Sequence, residues 1–500
     1  MVPDLAVIGI DSLDPYVLMG NRKRLPNLSK MIEESPTFIS KSVFPVDTIP
    51  AWASIYTSYR PGNHGLLYSY DIFDPNLKEL KRLDLSRIRG KTFWDYAGKA
   101  GCRTVVVYPM LIYPPWETNG IMVSKSPFDR RKDWLTTEID VDVLPLSIKE
   151  KYSIPDRFEG VWGGFPGIRR LQEWTELGKG MIEREKNIGL QLFRNEKWNL
   201  FFIYFSLLDI IQHRLWRFFD KDDPTYLQCE IGGAILEYYE IIDSLVGDFV
   251  EARPDVCMIV MSDHGHRRRP TKTLNINEYL RKNGYLVPTK TRRTFTSTIR
   301  KTTLEVANRL NIEHLFMRLI ASNERIAEAG KLVYSSSGAI DTEKSIAFLS
   351  AFAGIKSYPH GGIVVNRKAV GAEYEKTRDD LVKLLLNMKT HDGMSPMLWA
   401  EKREMLGKDR YIEEIFPDIV FRLKDAYGVG WEVYSKMEGR AYDHMVASGG
   451  HAEDGVFLLR NVDRSINTKT VSIIDVAPTI LSLLGIDQRQ FDFDGRSILA

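Results

Sequence analysis

Thr48 is the first residue whose type and setting could do chemistry. It lies in the stretch Phe44-Pro-Val-Asp-Thr-Ile-Pro-Ala-Trp52, where a short extended segment is predicted to run into a helix. Pro50 is accepted in the first turn of a helix, because its missing N–H would have no partner there. Thr48 would then sit at a helix N-terminus, which favours an alkoxide or a bound phosphate. A simple helix cap is the alternative explanation.

Two predicted strands end in acidic and imidazole side chains. The two-sided apolar run Leu5–Ile10 is typical of a strand buried on both faces of a parallel sheet, and it ends at Asp11. The similar run Asp255–Met261 ends in Ser-Asp263-His264-Gly. Ligands of open α/β sheets bind at the carboxyl ends of strands, so these side chains are candidates for one cation site. For Asp11 alone, an N-cap role is the simpler interpretation.

Two further segments supply the same residue types. Asp209 and His213 follow another apolar run and lie four residues apart, so on a helix they project from one face and can share one ion. Ser448-Gly-Gly-His451 is a glycine-rich turn that presents an imidazole before an apolar strand. An isolated Asp-x-x-x-His is common by chance, and a plain turn would also explain His451. Each segment is therefore weak evidence by itself.

Taken together, these side chains predict two metal sites. Two divalent ions a few ångström apart can clamp the attacking and leaving sides of a phosphoryl group during an in-line displacement. Nitrogen and oxygen ligands without thiolates favour Zn²⁺, with Mn²⁺, iron and cobalt as alternatives. The two sets are Asp11, Asp263 and His264 beside Thr48, and Asp209, His213 and His451.

In this order along the chain, the motifs resemble the type I phosphodiesterase/nucleotide pyrophosphatase family of the alkaline phosphatase superfamily. The resemblance implies an α/β fold with a doubly wound, mainly parallel sheet and helices on both faces. It also implies two zinc-type ions and a covalent phospho-threonine intermediate on Thr48. The matching pieces are the Asp11 strand, Phe44-Pro45 to Pro61-x-x-His64-Gly65, the Tyr113-Pro-Pro loop ending at Gly120, Asp209-x-x-x-His213, Ser262-Asp-His-Gly265, Gly450-His451 and Asp475-x-Ala-Pro478.

The resemblance assigns roles to the candidate residues. Thr48 would be the nucleophile beside an ion held by the Asp11 set, and the Asp209 set would hold the second ion. His64 also matches a family position, and we expect it either to support a metal ligand from behind or to fix a loop. One position departs from the family pattern: by counting, Ser69 stands where nucleotide pyrophosphatases usually carry an Asn that binds a phosphoryl oxygen. This departure weakens the case for a nucleotide substrate more than the case for phosphoester hydrolysis.

The favoured function is metal-dependent hydrolysis of a small phosphodiester or pyrophosphate, including nucleotides. A phosphomonoesterase or phosphonate hydrolase on the same two ions is the alternative enzyme. A sulfatase is disfavoured, because Thr48-Ile-Pro-Ala-Trp52 lacks both the Cys or Ser precursor and the Arg of that class. An inactive binding or scaffolding protein is disfavoured because all the expected ligand positions are filled.

Composition excludes several other classes. The chain has 500 residues, 44% of them hydrophobic and 27% charged, and a formal net charge of +2, so no specific binding to nucleic acid is expected. The three cysteines are scattered, which disfavours disulfides and thiolate metal sites. No apolar run approaches the roughly 18 residues of a membrane helix. The N-terminus lacks a basic signal-peptide region, so we expect a cytoplasmic protein. Nothing in the sequence indicates an oligomeric state.

The expected organisation is one catalytic domain, residues 1–285 and 340–500, with an inserted basic helical cap at 286–339. Residues 125–180 are expected to form an elaborated loop region. The strand-like segments near 347, 363 and 420 are expected to return to the main fold. For Arg267, Arg268 and Arg269, a solvated basic loop is favoured over a grip on an anionic substrate group.

Overall fold

The structure, a computed structural model, describes the chain except residues 1–3, 68–82, 127–129, 134, 162–166, 290–339, 351–357, 442–443, 445–446, 467, 469 and 500. The strands of the described part form one large sheet and three small ones. In chain order they are β1 (Leu5–Ile10), β2 (Ile39–Lys41), β3 (Thr104–Val107), β4 (Gly120–Lys125), β5 (Arg130–Arg131), β6 (Thr136–Leu144), β7 (Arg157–Val161), β8 (Leu200–Phe205), β9 (Cys257–Met261), β10 (Gly265–Arg268), β11 (Lys272–Asn275), β12 (Ala347–Leu349), β13 (His360–Val365), β14 (Met397–Lys402), β15 (Ile419–Leu423), β16 (Tyr427–Gly430), β17 (Glu438–Arg440), β18 (Gly449–Ala452), β19 (Asp454–Arg460) and β20 (Val471–Ser472).

Helices cover both faces of the large sheet. Those described are α1 (Pro15–Gly20), α2 (Pro26–Glu34), α3 (Thr48–Thr57), α4 (Pro61–His64), α5 (Phe93–Lys99), α6 (Leu146–Lys151), α7 (Leu171–Asn195), α8 (Leu207–Phe219), α9 (Ala234–Ala252), α10 (Ile276–Lys282), α11 (Arg367–Val370), α12 (Tyr374–Leu386), α13 (Ile412–Ile415) and α14 (Val476–Leu483). None of these helices combines the length and the apolar character needed to cross a membrane.

The centre of the large sheet is parallel. Its neighbouring strands β9, β1, β8, β3 and β4 all run in the same direction. Every residue of β1 and β8 is buried, because helices cover both faces of these strands. Antiparallel strands extend the sheet, with β19 beside β9 and β6 beside β4. The predicted α/β fold with a mainly parallel sheet is confirmed.

Two hydrophobic cores lie on opposite faces of this sheet. Side chains of a strand alternate between its faces, and in β1 Ala6 and Ile8 enter one core while Leu5 and Val7 enter the other. Helices α2, α7 and α9 cover the first core, and helices α3, α5 and α14 cover the second. The helix that begins at Thr48 is therefore fixed by packing against β1.

Two regions differ from the sequence-based expectation. Residues 125–180 are not merely loops, since β6 alternates buried and partly exposed side chains as an added antiparallel strand, and α7 begins at Leu171. The strands near 347, 363 and 420 do not join the main sheet. They form a separate antiparallel sheet in the order β12-β13-β15-β14 with its own hydrophobic core. Short strand signals cannot reveal which sheet they join.

The predicted domain limits stay predictions. Residues 290–339, which carry nearly all of the proposed helical cap, lie outside the described residues. Just before them, Pro288 forms an isolated antiparallel bridge with Ile340. The two ends of the predicted insertion therefore meet beside the small four-stranded sheet.

A close contact at Gly9 sets the distance between β1 and α3. A Cβ built on Gly9 would lie 2.6 Å from Cη2 of Trp52, one turn after Thr48. Trp52 is fully buried and packs edge-on against Tyr204 of β8, with ring centroids 4.8 Å apart. The absence of a side chain at Gly9 therefore lets the Thr48 helix approach the sheet.

We expect Gly9→Ala to lower the free energy of unfolding by about 1–3 kcal/mol, because the new methyl group overpacks against Trp52. Gly20→Ala is the matched control, since nothing lies within 4 Å of its added Cβ. Urea denaturation of both variants measures the difference. Equal stability of Gly9→Ala and the wild type would show that this contact does not constrain the helix.

Candidate metal centre

Thr48 is the first residue of α3, but it is not the helix cap. Asp47 is the N-cap, with an extended backbone (φ −155°, ψ 150°), and its Oδ1 lies 3.5 Å from the N–H of Ile49. The Thr48 hydroxyl is thus left to face the strand ends, where its Oγ1 lies 3.2 Å from Nε2 of His264. The interpretation of Thr48 as a cap is wrong, and its predicted place at a helix N-terminus is confirmed.

The first cluster forms where β1 and β9 end side by side. Asp11 follows β1, while Asp263 and His264 follow β9. Nε2 of His264 lies 3.1 Å from Oδ2 of Asp263 and 3.7 Å from Oδ1 of Asp11. All three residues are at most 2% exposed. The parallel pairing of the two strands therefore brings together residues about 250 positions apart.

The second cluster joins α8 to β18. Nε2 of His213 lies 3.3 Å from Oδ2 of Asp209, one turn earlier in the same helix. Nε2 of His451, on β18, lies 2.9 Å from Nε2 of His213 and 3.6 Å from Oδ1 of Asp209. The structure thus brings together the second predicted set.

The two clusters adjoin at His264. Ligand atoms of Asp11, Asp263 and His264 all lie within 4.8 Å of one another, and so do those of Asp209, His264 and His451. The rings of His264 and His451 are 4.1 Å apart. His264 reaches both groups, but its closest carboxylate contact is Asp263, so we place it in the first cluster. Two ions held here would be close neighbours.

The three imidazoles share one orientation. Nδ1 of His213 lies 2.8 Å from the carbonyl oxygen of Gly449, Nδ1 of His264 lies 3.0 Å from that of Gly265, and Nδ1 of His451 lies 3.2 Å from that of Val46. A carbonyl only accepts, so each of these Nδ1 atoms is the donor. Each Nε2 atom then faces the cluster, which is the arrangement of metal-binding histidines.

Three carboxylate oxygens in the clusters are buried without a hydrogen bond from any described residue. The companion oxygens of two of them are bonded: Oδ2 of Asp11 accepts from the Tyr204 hydroxyl, and Oδ1 of Asp263 accepts from the backbone N–H of Ser12. A buried carboxylate oxygen without a donor is costly, and a cation would remove that cost. The residues present therefore fit divalent ions. The three oxygens are Asp11 Oδ1, Asp209 Oδ1 and Asp263 Oδ2.

Burial also sets the protonation of these groups. It raises the pKa of Asp11 well above its usual value, with a further contribution from the charge of Asp263. It also raises the pKa of Asp263 well above its usual value, with a further contribution from the charge of Asp209. Burial lowers the pKa of His264 to about 4 and that of His451 well below its usual value. The rings of His264 and His451 are therefore neutral at pH 7, as ligands must be, while a cation would favour the ionised carboxylates.

Sequence reasoning missed two residues of the site. His266 is buried, with Nδ1 2.8 Å from Oγ of Ser12 and 3.6 Å from Oδ1 of Asp209. The available signal was its position two residues after His264, on the same face of an extended segment. Ser12 gave no signal, because its role depends on a backbone φ of 64° and on contacts with residues 250 positions away.

The three arginines that follow His266 differ in their exposure to solvent. Arg267 and Arg268 are partly exposed but lie on β10 and not on a loop; Arg267 pairs with Asp425, and Nη1 of Arg268 lies 3.7 Å from Oδ2 of Asp220. Arg269 is only 4% exposed, however, and its Nη2 lies 3.4 Å from Nδ1 of His213. The expectation of a solvated loop is wrong for Arg269, because the pairing of β10 with β18 draws the chain inward.

The contacts of His64 agree with a role in fixing the loop after α4. Its Nε2 lies 3.1 Å from Oγ of Ser54, and its Nδ1 accepts from the N–H of Leu66 at 3.0 Å. Burial lowers the pKa of His64 to about 3, so the ring is neutral. Ser69, at the position that departs from the family pattern, lies outside the described residues.

Comparisons with known proteins support the same interpretation. The model of the family described as type I phosphodiesterase / nucleotide pyrophosphatase matches residues 5–396. No curated protein sequence matches the chain.

Two solved structures share the fold over nearly the whole chain. Phosphonoacetate hydrolase from Sinorhizobium meliloti 1021, in complex with phosphonoformate, has a TM-score of 0.56 and 14% identity, covering 97% of this chain and 95% of its own. Human ectonucleotide pyrophosphatase/phosphodiesterase 5 has a TM-score of 0.50 and 13% identity, covering 99% of each chain. At these identities the likeness shows the fold alone.

We expect Zn²⁺ to stabilise the chelator-treated protein by about 2.7 kcal/mol at a free concentration near a hundred times its Kd. In Asp263→Asn this gain should largely disappear, while the chelated variant should be at least as stable as the chelated wild type, because a buried charge without a cation is gone. Urea denaturation with and without Zn²⁺ measures both effects.

Asp95→Asn is the matched control for this experiment. Its buried carboxylate already accepts from Thr92 and from Nε1 of Trp116. That variant should lose stability equally with and without Zn²⁺. A Zn²⁺ response of Asp263→Asn equal to that of the wild type would rule out Asp263 as a ligand.

Proposed function

Because the chain belongs to the type I phosphodiesterase/nucleotide pyrophosphatase family of phosphoric ester hydrolases, we propose that it hydrolyses phosphodiesters or pyrophosphates with Thr48 as nucleophile. The single observation that carries the proposal is the convergence, beside the Thr48 hydroxyl, of three imidazole Nε2 atoms and three carboxylate oxygens that accept no hydrogen bond from the described residues. Few structural needs would bring these groups together at one set of strand ends.

The residues divide into two sets for two ions. Asp11, Asp263 and His264 would hold one ion beside Thr48. When bound, the ions would supply charge that lowers the pKa of the hydroxyl and neutralises phosphoryl oxygens. The donor set fits Zn²⁺, with Mn²⁺ as the alternative. The second set is Asp209, His213 and His451.

Thr48 would form a covalent intermediate. Its Oγ1 attacks phosphorus and loses its proton to solvent, while the bond from phosphorus to the leaving oxygen breaks. Water then attacks the phospho-threonine from the opposite side, and Oγ1 leaves as the hydroxyl is restored. The N-terminal end of α3 points its dipole at the phosphoryl charge, and Asp47 holds the first turn in place.

Phosphonate or phosphomonoester hydrolysis is the second candidate function. It is supported by the shared fold with phosphonoacetate hydrolase over 97% of this chain. The atoms that hold the ions do not distinguish a phosphomonoester from a phosphodiester. That preference depends on the groups that bind the rest of the substrate. Nucleotides are among the candidate diesters and pyrophosphates. An inactive scaffold is disfavoured, because Thr48 lies beside five of the six expected ligands and the sixth, His213, contacts Asp209 and His451.

We expect Thr48→Ala to reduce kcat/KM on the best substrate by a factor on the order of 10⁴ or more, since the nucleophile is lost. Thr48→Ser should keep measurable activity. Thr57→Ala, at the other end of the same helix, is the control, because its hydroxyl donates to the Ala53 carbonyl at 2.7 Å and accepts from the N–H of Tyr59 at 3.2 Å. Acid quenching during turnover should trap phosphate on Thr48. Unchanged turnover in Thr48→Ala would refute the mechanism.

A substrate panel separates the two candidate functions. We expect bis-p-nitrophenyl phosphate and nucleoside triphosphates to be hydrolysed faster than p-nitrophenyl phosphate and phosphonoacetate, with Zn²⁺ or Mn²⁺ supplied to the full-length protein. The readout is initial rate at equal substrate concentration. Preferential release of phosphate from monoesters or phosphonates would favour the second candidate instead.

A further inference from the structure

Ser12 contacts the first cluster and adopts an unusual backbone. It follows Asp11 with φ 64°, a left-handed conformation that glycine adopts more easily than serine. Its N–H donates to Oδ1 of Asp263 at 3.2 Å, and its carbonyl accepts from Nε2 of Gln212 at 2.9 Å. Backbone geometry alone would favour glycine here, so the serine hydroxyl calls for its own explanation.

The hydroxyl of Ser12 connects to the second cluster through His266. Its Oγ lies 2.8 Å from Nδ1 of His266 and 3.2 Å from the carbonyl oxygen of Gly265. That carbonyl also accepts from Nδ1 of His264, at 3.0 Å. Ser12 is thus bonded to Asp263 directly and to His264 through one shared carbonyl. Whichever of Ser12 and His266 donates the proton, the bond between them remains.

His266 lies against every ligand of the second cluster. Its Nδ1 is 3.6 Å from Oδ1 of Asp209, and its ring is 4.7 Å from that of His213. In the pairing of β10 with β18 it stands directly across from His451. A Cβ on Gly449, whose carbonyl holds His213, would lie 2.3 Å from Nε2 of His266, so the ring is tightly enclosed.

We propose that Ser12 and His266 form a positioning bridge that couples the two ion sites, so that filling one site favours filling the other. The inference rests on the two-ion assignment of the proposed function. An ion in the first cluster fixes Asp263 and His264, which hold Ser12. Ser12 in turn fixes the His266 ring, which sets the place of Asp209 and supports Gly449 beside His213 and His451. Such coupling acts equally in both directions.

Zn²⁺ binding to the chelator-stripped full-length protein tests the bridge. Equilibrium dialysis against buffered free Zn²⁺, with metal content measured by mass spectrometry, gives both dissociation constants. The wild type should bind two ions with a Hill coefficient above 1. Ser12→Gly and Ser12→Ala should both lose this cooperativity and weaken the second binding step by about tenfold or more. Comparing these two variants separates the effect of losing the hydroxyl from the effect of backbone strain, because only glycine adopts the left-handed φ without strain.

His266 variants test the other end of the bridge. His266→Leu should behave like Ser12→Gly, whereas in His266→Asn the Nδ2 atom can replace Nδ1 and should restore cooperativity. The double variant Ser12→Gly/His266→Leu should bind Zn²⁺ no worse than the weaker single variant, since both remove one bridge. Ser58→Gly is the matched control: it too is a left-handed serine (φ 61°) whose hydroxyl bonds a carbonyl, that of Ile474 at 2.7 Å.

Several outcomes would overturn the bridge. Wild-type cooperativity in Ser12→Gly would do so, and so would a loss confined to Ser12→Ala, which would indicate backbone strain instead of the hydroxyl. Equal losses in His266→Asn and His266→Leu with Ser12→Gly unaffected would make His266 a direct ligand. Because the readout is ion binding, a protein that binds two ions cooperatively but hydrolyses no phosphoester would refute the proposed function and leave the bridge intact.

Discussion

The buried carboxylates of Asp11 and Asp263 lie close to the half-buried carboxylate of Asp209, and the rest of the site depends on how this charge is compensated. Each has one oxygen that no described residue reaches with a hydrogen bond. Burial of ionised groups without compensation costs several kcal/mol per group. A fold selected only for stability would replace them with apolar side chains. Their retention is understandable if divalent cations supply the compensation and the cleft serves catalysis.

The architecture produces this convergence with ordinary elements. Parallel pairing of β1 with β9 brings Asp11 beside Asp263 and His264, and the close contact of Gly9 with Trp52 brings the first turn of α3 over the same strand ends. Backbone carbonyls then fix each imidazole by its Nδ1 atom. The candidate ligands are therefore oriented mainly by backbone atoms, whose positions depend on the fold and not on further side chains.

Local sequence was sufficient to predict the strand ends and to select the candidate ligands, whose metal binding stays a prediction. Runs of apolar residues such as Leu5–Ile10 predicted buried strands, and the residues that follow them could be tested against known metal preferences. Long-range features were not accessible in this way. The role of Ser12 depends on one left-handed residue meeting His266, and the separate sheet around His360–Val365 depends on which of several short strands pair. Hydrophobic periodicity contains neither kind of information.

The central claim is that two divalent ions bind between these strand ends, one of them against Thr48. Crystals of the protein grown with Zn²⁺, with diffraction recorded on both sides of the zinc absorption edge, test it most directly. The account predicts two anomalous peaks about 4 Å apart, one contacting Asp11, Asp263, His264 and Thr48 Oγ1, the other contacting Asp209, His213 and His451. A single peak, or peaks away from the Thr48 hydroxyl, would contradict it.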